Sequence, residues 1–363
     1  MEPFKNYFDE RYKKDLANLL AAYTPNILQE DYFTQPTAFN DDWNYRKRVE
    51  QIALKLFECH SENYLEFYEA VKKLSAHAIV GKFRVDNGFF WEPFTHVVQY
   101  YGLAHPELSF KLLELLTQLF TAEFAIRPFI DRYPEKSFEQ LKLWSRAKNE
   151  HLRRLSSEGS RPRLPWGKKI PHLEKVPDYA IEILSELKDD KSLYVRKSVA
   201  NHLNDLSWVQ PDLFYKIINR WNTRKISPER AWIIKHALRS EIKKGNPKAL
   251  EISGVKPFFG DCRVELIGNA QIQQNFELLA QLTNSSSNTQ KFIADIILHM
   301  PGKTGARKKV FKGWKGEING KATIELPKRM SLVDNSVRKY YPGAYAIEIL
   351  VNGNRMAKIE FEV

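Results

Sequence analysis

The hydrophobic periodicity of the sequence changes near Gly254, and this change constrains the possible folds most. From about residue 10 to about residue 250, apolar residues recur at spacings of three and four, as in the runs that end at Phe120 and Leu187. This spacing places the apolar side chains on one face of an α-helix. Proline interrupts the pattern at short intervals, for example at Pro106 and Pro134. The region therefore predicts amphipathic helices joined by short turns.

Beyond Gly254 polar and apolar residues alternate, as expected for β-strands with one buried face. The clearest runs, 344–351 and 356–363, flank the turn sequence Asn352-Gly353-Asn354. Asn-Gly favours a hairpin because both residues tolerate a positive φ. Shorter alternating runs predict further strands at 262–267, 275–283, 291–299 and 321–326, with a serine-rich loop at 283–289. We therefore predict a helical domain over 1–254 and an antiparallel, immunoglobulin-like β-sandwich over 255–363.

A weak internal repeat runs through the helical region, and each copy places a base between apolar residues. The copies contain Ile126-Arg127, Leu152-Arg153, Val195-Arg196 and Ile234-Lys235. The copy at 190–203 matches the second helix of a HEAT-type hairpin, whose aliphatic face packs on the next hairpin while the base projects to one side of the stack. Such bases would line one concave surface. The alternative is that they are the scattered solvated bases of any amphipathic helix.

The composition limits the partners and the chemistry. The net charge of +12 favours a polyanionic partner, such as nucleic acid or an acidic membrane surface. The two cysteines, Cys59 and Cys262, lie in different predicted domains, and the histidines show no metal-ligand spacing, so we expect no disulfide, metal ion or cofactor. The sequence shows neither a signal peptide nor a run of about 18 apolar residues. We expect a cytoplasmic, nucleoid-associated monomer that does not enter a membrane.

The most informative segment runs from Arg153 to Lys169. It contains six bases and a single acid, Glu158, and we interpret it as a loop interrupted by glycine and proline that ends near Trp166. Nearby cations would lower the pKa of Glu158 and keep it ionised, while the bases could hold phosphates on either side. The alternative is a surface loop with a chance salt bridge. Trp166 argues against that alternative, because nothing in the local periodicity would bury its ring.

Three segments resemble the AlkC branch of the AlkC/AlkD HEAT-repeat DNA glycosylases. They are Leu152–Trp166, Glu123–Ile130 and the stretch from Tyr194 to Ser207. The resemblance covers residues 1 to about 254, and many AlkC-type members carry a C-terminal immunoglobulin-like domain. It implies base excision repair of alkylated double-stranded DNA, with release of 3-methyladenine and 3-methylcytosine and without base flipping.

The same resemblance places four residues on the catalytic surface: Glu123, Glu158, Trp166 and Asp205. The sister AlkD branch carries a Trp-Asp-x-Val-Asp signature that is missing from this sequence, so roles from that branch are not transferred. For Asp205 an alternative remains, because Asn204-Asp205 could simply end a helix.

The chemistry can also be argued from the residue types. A cationic N3-alkylated base leaves as a neutral base and needs no general acid, so the enzyme must stabilise an oxocarbenium-like sugar and position a water. Carboxylates serve both purposes. The π face of Trp166 would add about 0.5 to 2 kcal/mol of cation–π stabilisation. The prediction is a monofunctional glycosylase that uses no lyase lysine.

Two groups of bases are predicted to contact DNA phosphates. In the helical region they are Arg127, Arg153, Arg154, Arg161, Arg163, Lys168, Lys169, Arg196, Lys235 and Arg239. In the sandwich they are Lys303, Arg307, Lys308, Lys309 and Lys312, and Lys315 follows them. We interpret the segment that contains these bases, with Phe311 and Trp314 interleaved, as a strand-connecting loop that contacts phosphates. The alternative for this second group is a solvated hairpin whose aromatic rings pack inward.

A non-catalytic function also fits the predicted architecture. A helical-repeat scaffold with a basic groove could bind nucleic acid without acting on it. The acids distinguish the two hypotheses, because a pure phosphate clamp is weakened by Glu123 and Glu158 in its groove.

Overall fold

The computed structural model describes residues 4–23, 43–83, 85, 87–171, 173, 178–335 and 338–363. The chain divides into two compact units, Met1–His236 and Ala237–Val363. Among the described helices, none combines the length and the hydrophobicity needed to cross a bilayer. The predicted architecture, a HEAT-like helical array followed by an immunoglobulin-like sandwich, is confirmed.

The helical array is built from short α-helices separated by tight turns. In chain order the described α-helices are α1 (Glu10–Tyr23), α2 (Tyr45–Cys59), α3 (Tyr64–Ile79), α4 (Glu92–Tyr101), α5 (Pro106–Leu119), α6 (Arg127–Arg132), α7 (Pro134–Ser145), α8 (Glu150–Gly159), α9 (Asp178–Leu187), α10 (Leu193–Val209), α11 (Pro211–Trp221), α12 (Pro228–Ala237), α13 (Arg239–Lys243) and α14 (Pro247–Ile252). Short 3₁₀ helices add Phe4–Tyr7, Gly88–Trp91 and Gly102–Ala104.

The helix starts follow from local sequence. Several helices begin with proline, which lacks the N–H that a first-turn residue leaves unpaired. Others begin after an asparagine: Asn63 accepts from the backbone N–H groups of Leu65 and Glu66, and Asn149 accepts from that of His151. These caps satisfy donors that would otherwise lack a partner. The prolines that interrupt the apolar pattern therefore mark helix starts.

Helix α8 lies at the centre of the array, in contact with α5, α7, α9 and α10. The predicted repeat is visible in the contacts of Arg153 on α8 and Arg196 on α10. Arg153 Nη1 donates to the carbonyls of Ala147 and Lys148, and Arg196 Nη1 donates to the equivalent carbonyls of the next repeat, at distances of 2.7 to 3.0 Å. Each arginine thus ties the start of its helix to the turn before it.

The sandwich consists of two antiparallel sheets. Its strands are β1 (Gly260–Ile267), β2 (Asn275–Asn284), β3 (Gln290–Gly302), β4 (Gly305–Ile318), β5 (Thr323–Ser331), β6 (Ala344–Val351) and β7 (Asn354–Glu362). One sheet has the order β1-β2-β5 and the other β4-β3-β6-β7. Alternate residues of both sheets form the core, including Leu282, Ile296 and Ile347. Asn352 and Gly353 both adopt a positive φ, as expected for the predicted hairpin turn between β6 and β7.

Helices α13 and α14 belong to the same compact unit as the strands. Gly353 adopts a φ of +82°, and a Cβ atom added there would lie 2.8 Å from the backbone Cα of Gly245, so glycine is required where the β6–β7 turn meets the segment before α14. The predicted boundary after residue 254 lies between the end of α14 at Ile252 and the start of β1 at Gly260. The compact units divide earlier, between His236 and Ala237.

Candidate active site

Two arginines connect the three predicted catalytic carboxylates. Arg154 Nη1 lies 2.5 Å from Glu123 Oε2, and its Nη2 lies 3.7 Å from Glu158 Oε1. Arg161 Nη1 donates to the same Glu158 oxygen over 2.6 Å, and its Nε and Nη2 donate to both oxygens of Asp205 over 2.8 and 3.1 Å. The five side chains form one continuous chain of alternating charge, which we call the carboxylate–arginine chain. The structure therefore brings together three acids that are far apart in sequence.

Burial and charge act in opposite directions on the ionisation of Glu158 and Asp205. Glu158 is 5% exposed and Asp205 is 7% exposed. Burial is the largest influence on Glu158 and opposes its ionisation, but the charges of Arg154 and Arg161 outweigh it and lower the pKa of Glu158 below its ordinary value. Burial also dominates at Asp205, where it raises the pKa despite the bidentate contact with Arg161. Glu158 is therefore held as a carboxylate.

Glu158 lies on a helix, so its predicted loop location was wrong. Helix α8 begins after Asn149 and ends at Gly159, and only the part from Ser160 onward is irregular. The glycine and the prolines that follow Glu158 in the sequence favour a loop, so the predicted loop began before the true end of α8. A Cβ atom at Gly159 would lie 2.4 Å from Ile126 Cγ2, so this glycine permits close packing. The alternative for Asp205 was also wrong, because that residue lies within α10.

Trp166 is presented to solvent by a tight turn. Its side chain is 85% exposed, and its φ of +61° lies in the left-handed region. For a residue with a Cβ atom this conformation costs about 1 to 2 kcal/mol. The Gly167 N–H donates to the Leu164 carbonyl over 3.1 Å and closes the turn. The expectation that nothing buries this ring is confirmed.

Arg127 does not lie where it could contact phosphate as predicted, because it is 2% exposed and its guanidinium donates to backbone carbonyls. Its Nε and Nη2 donate to Lys168 O over 2.9 and 2.7 Å, and its Nη1 donates to the carbonyls of Gly159 and Arg161 over 2.9 Å each. Burial lowers the pKa of Arg127 to about 10. This side chain fixes both ends of the segment that carries Trp166.

Several other predicted phosphate ligands are engaged within the protein. Arg161 is buried between two acids, and Arg154 also donates to Thr121 Oγ1. Arg153 Nε and Nη2 bind both oxygens of Asp190 over 2.6 and 3.1 Å, in addition to its carbonyl contacts. Their paired charges give a physical reason against phosphate binding, most strongly for Arg161. Among the bases predicted in the helical region, those that remain exposed are Arg163, Lys168, Lys169 and Lys235, whereas Arg196 and Arg239 are half-buried.

The predicted basic loop of the sandwich is a strand. Residues 305–318 form β4, which pairs with β3 at the edge of its sheet, and Gly302–Gly305 is the turn between the two. Phe311 and Trp314 pack against the sandwich core, as the alternative proposed. Arg307 donates to Lys339 O, whereas Lys303, Lys308, Lys309, Lys312 and Lys315 are exposed.

Sequence reasoning missed several neighbours of the carboxylate–arginine chain. The ring of Tyr194 lies 5.0 Å from the Arg154 guanidinium, and Trp208 lies at the same distance from that of Arg163. Glu92 is buried and interacts electrostatically with Glu123, and burial raises its pKa to about 7. No local signal distinguishes Glu92 from an ordinary helix-starting acid. In the described ranges, no group of three or more His, Cys, Asp or Glu side chains is arranged to hold a metal ion.

Known proteins match this chain along its whole length. Residues 266–363 match the family model for the C-terminal Ig-like domain of the uncharacterised protein YhaZ. The full chain is 34% identical to the uncharacterized protein YhaZ of Bacillus subtilis (strain 168), with complete coverage of both. The solved structure of Pseudomonas fluorescens alkylpurine DNA glycosylase AlkC, bound to DNA containing an abasic site analog, matches with a TM-score of 0.90 and 31% identity over 99% of each chain. The chain belongs to the AlkC branch of the AlkC/AlkD HEAT-repeat DNA glycosylases.

Proposed function

We propose that this protein is a monofunctional DNA glycosylase that hydrolyses the N-glycosidic bond of cationic N3-alkylated bases in duplex DNA. The observation that supports this most strongly is the carboxylate–arginine chain, whose Asp205 binds the backbone N–H of Arg163 in the segment that also carries the exposed Trp166. The similarity to Pseudomonas fluorescens AlkC, which is described as an alkylpurine DNA glycosylase bound to DNA, supports the same activity. The proposed substrates are 3-methyladenine and 3-methylcytosine.

The proposed reaction requires negative charge at the sugar and no acid at the base. When the C1′–N bond breaks, its electron pair neutralises the cationic base, which leaves without protonation. The sugar then carries the positive charge, and carboxylates placed nearby lower the energy of that state. A water adds to C1′ and gives its proton to a carboxylate, which leaves an abasic site. No lysine forms a covalent intermediate, so the strand is not cleaved.

The arginines support this chemistry by controlling ionisation. Buried carboxylates without partners would tend to take up protons and lose the charge that the reaction needs. Arg154 and Arg161 counter this effect at Glu158 and lower its pKa. In our proposal Glu158 stabilises the sugar cation, and Glu123 and Asp205 help to position the water. In this proposal, Arg154 and Arg161 keep Glu158 ionised instead of binding DNA phosphates.

The exposed ring of Trp166 suits a base that remains in the duplex. Because the ring projects into solvent, it can approach the sugar or the cationic base from outside the helix. We therefore propose that the base is released without flipping. Exposed bases of both units, among them Lys168, Lys169 and Lys309, would bind the phosphates.

The direct test is to incubate the purified protein with duplex DNA that contains 3-methyladenine or 3-methylcytosine and to quantify released bases by chromatography. We expect release of free methylated base and an intact, alkali-labile strand. Single-turnover conditions separate the chemical step from product release.

An exposed acid of the same unit provides the control. Glu139 is exposed on α7, so Glu139→Gln removes a carboxylate of the same unit and should leave base release unchanged. Duplex binding without release of either base at low salt would contradict the proposal and favour the non-catalytic scaffold. Strand cleavage at the lesion without alkali would contradict the monofunctional mechanism.

A further inference from the structure

Arg46 contacts the backbone of Trp166 from a distant helix. It lies in the first turn of α2, and its Nη2 donates to the Trp166 carbonyl over 3.1 Å, although 120 residues separate the two in sequence. Neither the sequence pattern nor the comparisons assign Arg46 a role. It lies in the same compact unit as Trp166.

The orientation of the Trp166 ring depends on its backbone. With 85% of the side chain exposed, neighbouring side chains cannot fix it by burial. Its φ of +61° is a conformation that a tryptophan adopts only when the surrounding contacts impose it. Loss of a contact to this peptide group would therefore let the turn relax and reorient the ring.

The other contacts of this segment lie on either side of Trp166. Arg127 binds the carbonyls of Arg161 and Lys168, and Asp205 Oδ2 accepts from the Arg163 N–H over 3.3 Å. These contacts fix where the segment begins and ends. Arg46 acts at the peptide group of Trp166 itself.

The start of α2 is itself held in place. Asn44 caps the helix by accepting from the Lys47 N–H over 3.0 Å. The hydroxyl of Tyr45 donates to the buried carboxylate of Glu92 on α4, and the Tyr45 ring packs 5.5 Å from that of Phe8. Arg46 therefore extends from a fixed point and can transmit that rigidity to the turn.

We propose that Arg46 is a positioning residue that holds the Trp166 turn and thereby directs the indole ring toward the reacting nucleotide. This inference rests on the proposed function for the role of the ring. The competing role for an exposed arginine beside a DNA site is direct phosphate binding, and the two roles predict different measurements.

A double-mutant cycle distinguishes them. Arg46→Ala should reduce the single-turnover rate of base release by about tenfold, as expected for a misplaced reacting group. Its duplex affinity and salt dependence should stay unchanged, because a positioning contact neutralises no phosphate. In a Trp166→Ala background, Arg46→Ala should cause no further loss. Independent, additive losses would overturn the proposal, as would a salt dependence reduced by about one charge.

Hydrogen exchange provides a second readout that needs no activity. In full-length Arg46→Ala, amides in residues 164–170 should exchange faster than in the unmodified protein. Lys47 is the neighbouring exposed base on α2, so Lys47→Ala is the matched control and should leave both exchange and rate unchanged. Unchanged exchange in Arg46→Ala would overturn the proposal even if base release by the unmodified protein confirmed the function. Conversely, absence of base release by the unmodified protein would contradict the proposed function. The exchange experiment would still show whether Arg46 holds the Trp166 turn.

Discussion

Residues 153–169 and residues 303–315 each carry six lysines and arginines and at least one aromatic ring. In the first segment Arg153, Arg154 and Arg161 are bound to carboxylates with little exposure. In the second segment the five lysines lie exposed along β4 and the turn before it. The same local composition therefore contributes three arginines to an internal ionic framework in one unit, whereas in the other unit its lysines form an open basic edge.

The difference comes from where the acids are. In the helical array, acids that bind these bases come from distant parts of the sequence: Asp190, in the turn between α9 and α10, and Asp205, on α10, lie 37 and 44 residues beyond the arginines that they bind. In the sandwich, the lysines lie on an edge strand and in the turn before it, where their side chains are exposed. A local count of charges cannot distinguish a base that binds DNA from a base that holds a carboxylate.

The largest expected effect tests the internal role of the first segment. Arg161→Met should lower the free energy of unfolding by about 3 to 5 kcal/mol, because it leaves Glu158 and Asp205 buried without their shared cation. Urea unfolding at neutral pH measures this quantity. The loss should shrink in acid, where protonation relieves the unpaired carboxylates.

The matched change in the second segment is Lys309→Met, at an exposed position of β4. A solvated surface base should change stability by no more than about 0.5 kcal/mol. Equal losses from both substitutions would show that the contrast between the two segments is incorrect.

The next prediction separates the contribution of the Glu158 charge to base release from its contribution to folding. Glu158→Gln keeps the shape of the side chain and leaves Arg161 bound to Asp205, so the protein should remain folded. The single-turnover rate of base release should fall by about 10² or more, while duplex affinity holds or improves because a negative charge is removed. Single-turnover base release and a binding titration measure the two quantities. A full rate in Glu158→Gln would transfer the proposed role to Glu123 or Asp205.

Local sequence signals predicted the β6–β7 hairpin of the sandwich, but they did not predict the structure of the two basic segments. The β6–β7 hairpin follows from alternation and from Asn352-Gly353, both of which are readable within a few residues. Strand β4 was mistaken for a loop because its glycines and lysines lower strand propensity and a bulge interrupts its alternation opposite Ala294 and Asp295. The pairing with β3 overrides these local preferences.

The site was only partly predictable for a related reason. Family resemblance selected Glu123, Glu158 and Asp205, and the structure places them together, but no spacing in the sequence shows that two arginines join them. Arg127 was predicted to be a phosphate ligand because a base on an amphipathic helix is usually solvated. Its burial depends on carbonyls that a distant turn directs toward it.

The smallest of the three effects tests the open basic edge. The triple change of Lys308, Lys309 and Lys312 to Gln should lower duplex affinity by about tenfold at low salt and reduce the slope of log K against log salt by about one charge per lysine. The rate at saturating DNA should not change. Because β4 is an edge strand, its lysines also discourage pairing with another chain, so sedimentation must accompany the titration. Arg329→Gln, an exposed base on β5 of the other sheet, is the control and should leave the slope unchanged. If the triple variant self-associates but keeps the original salt slope, these lysines protect the sheet edge and do not bind DNA.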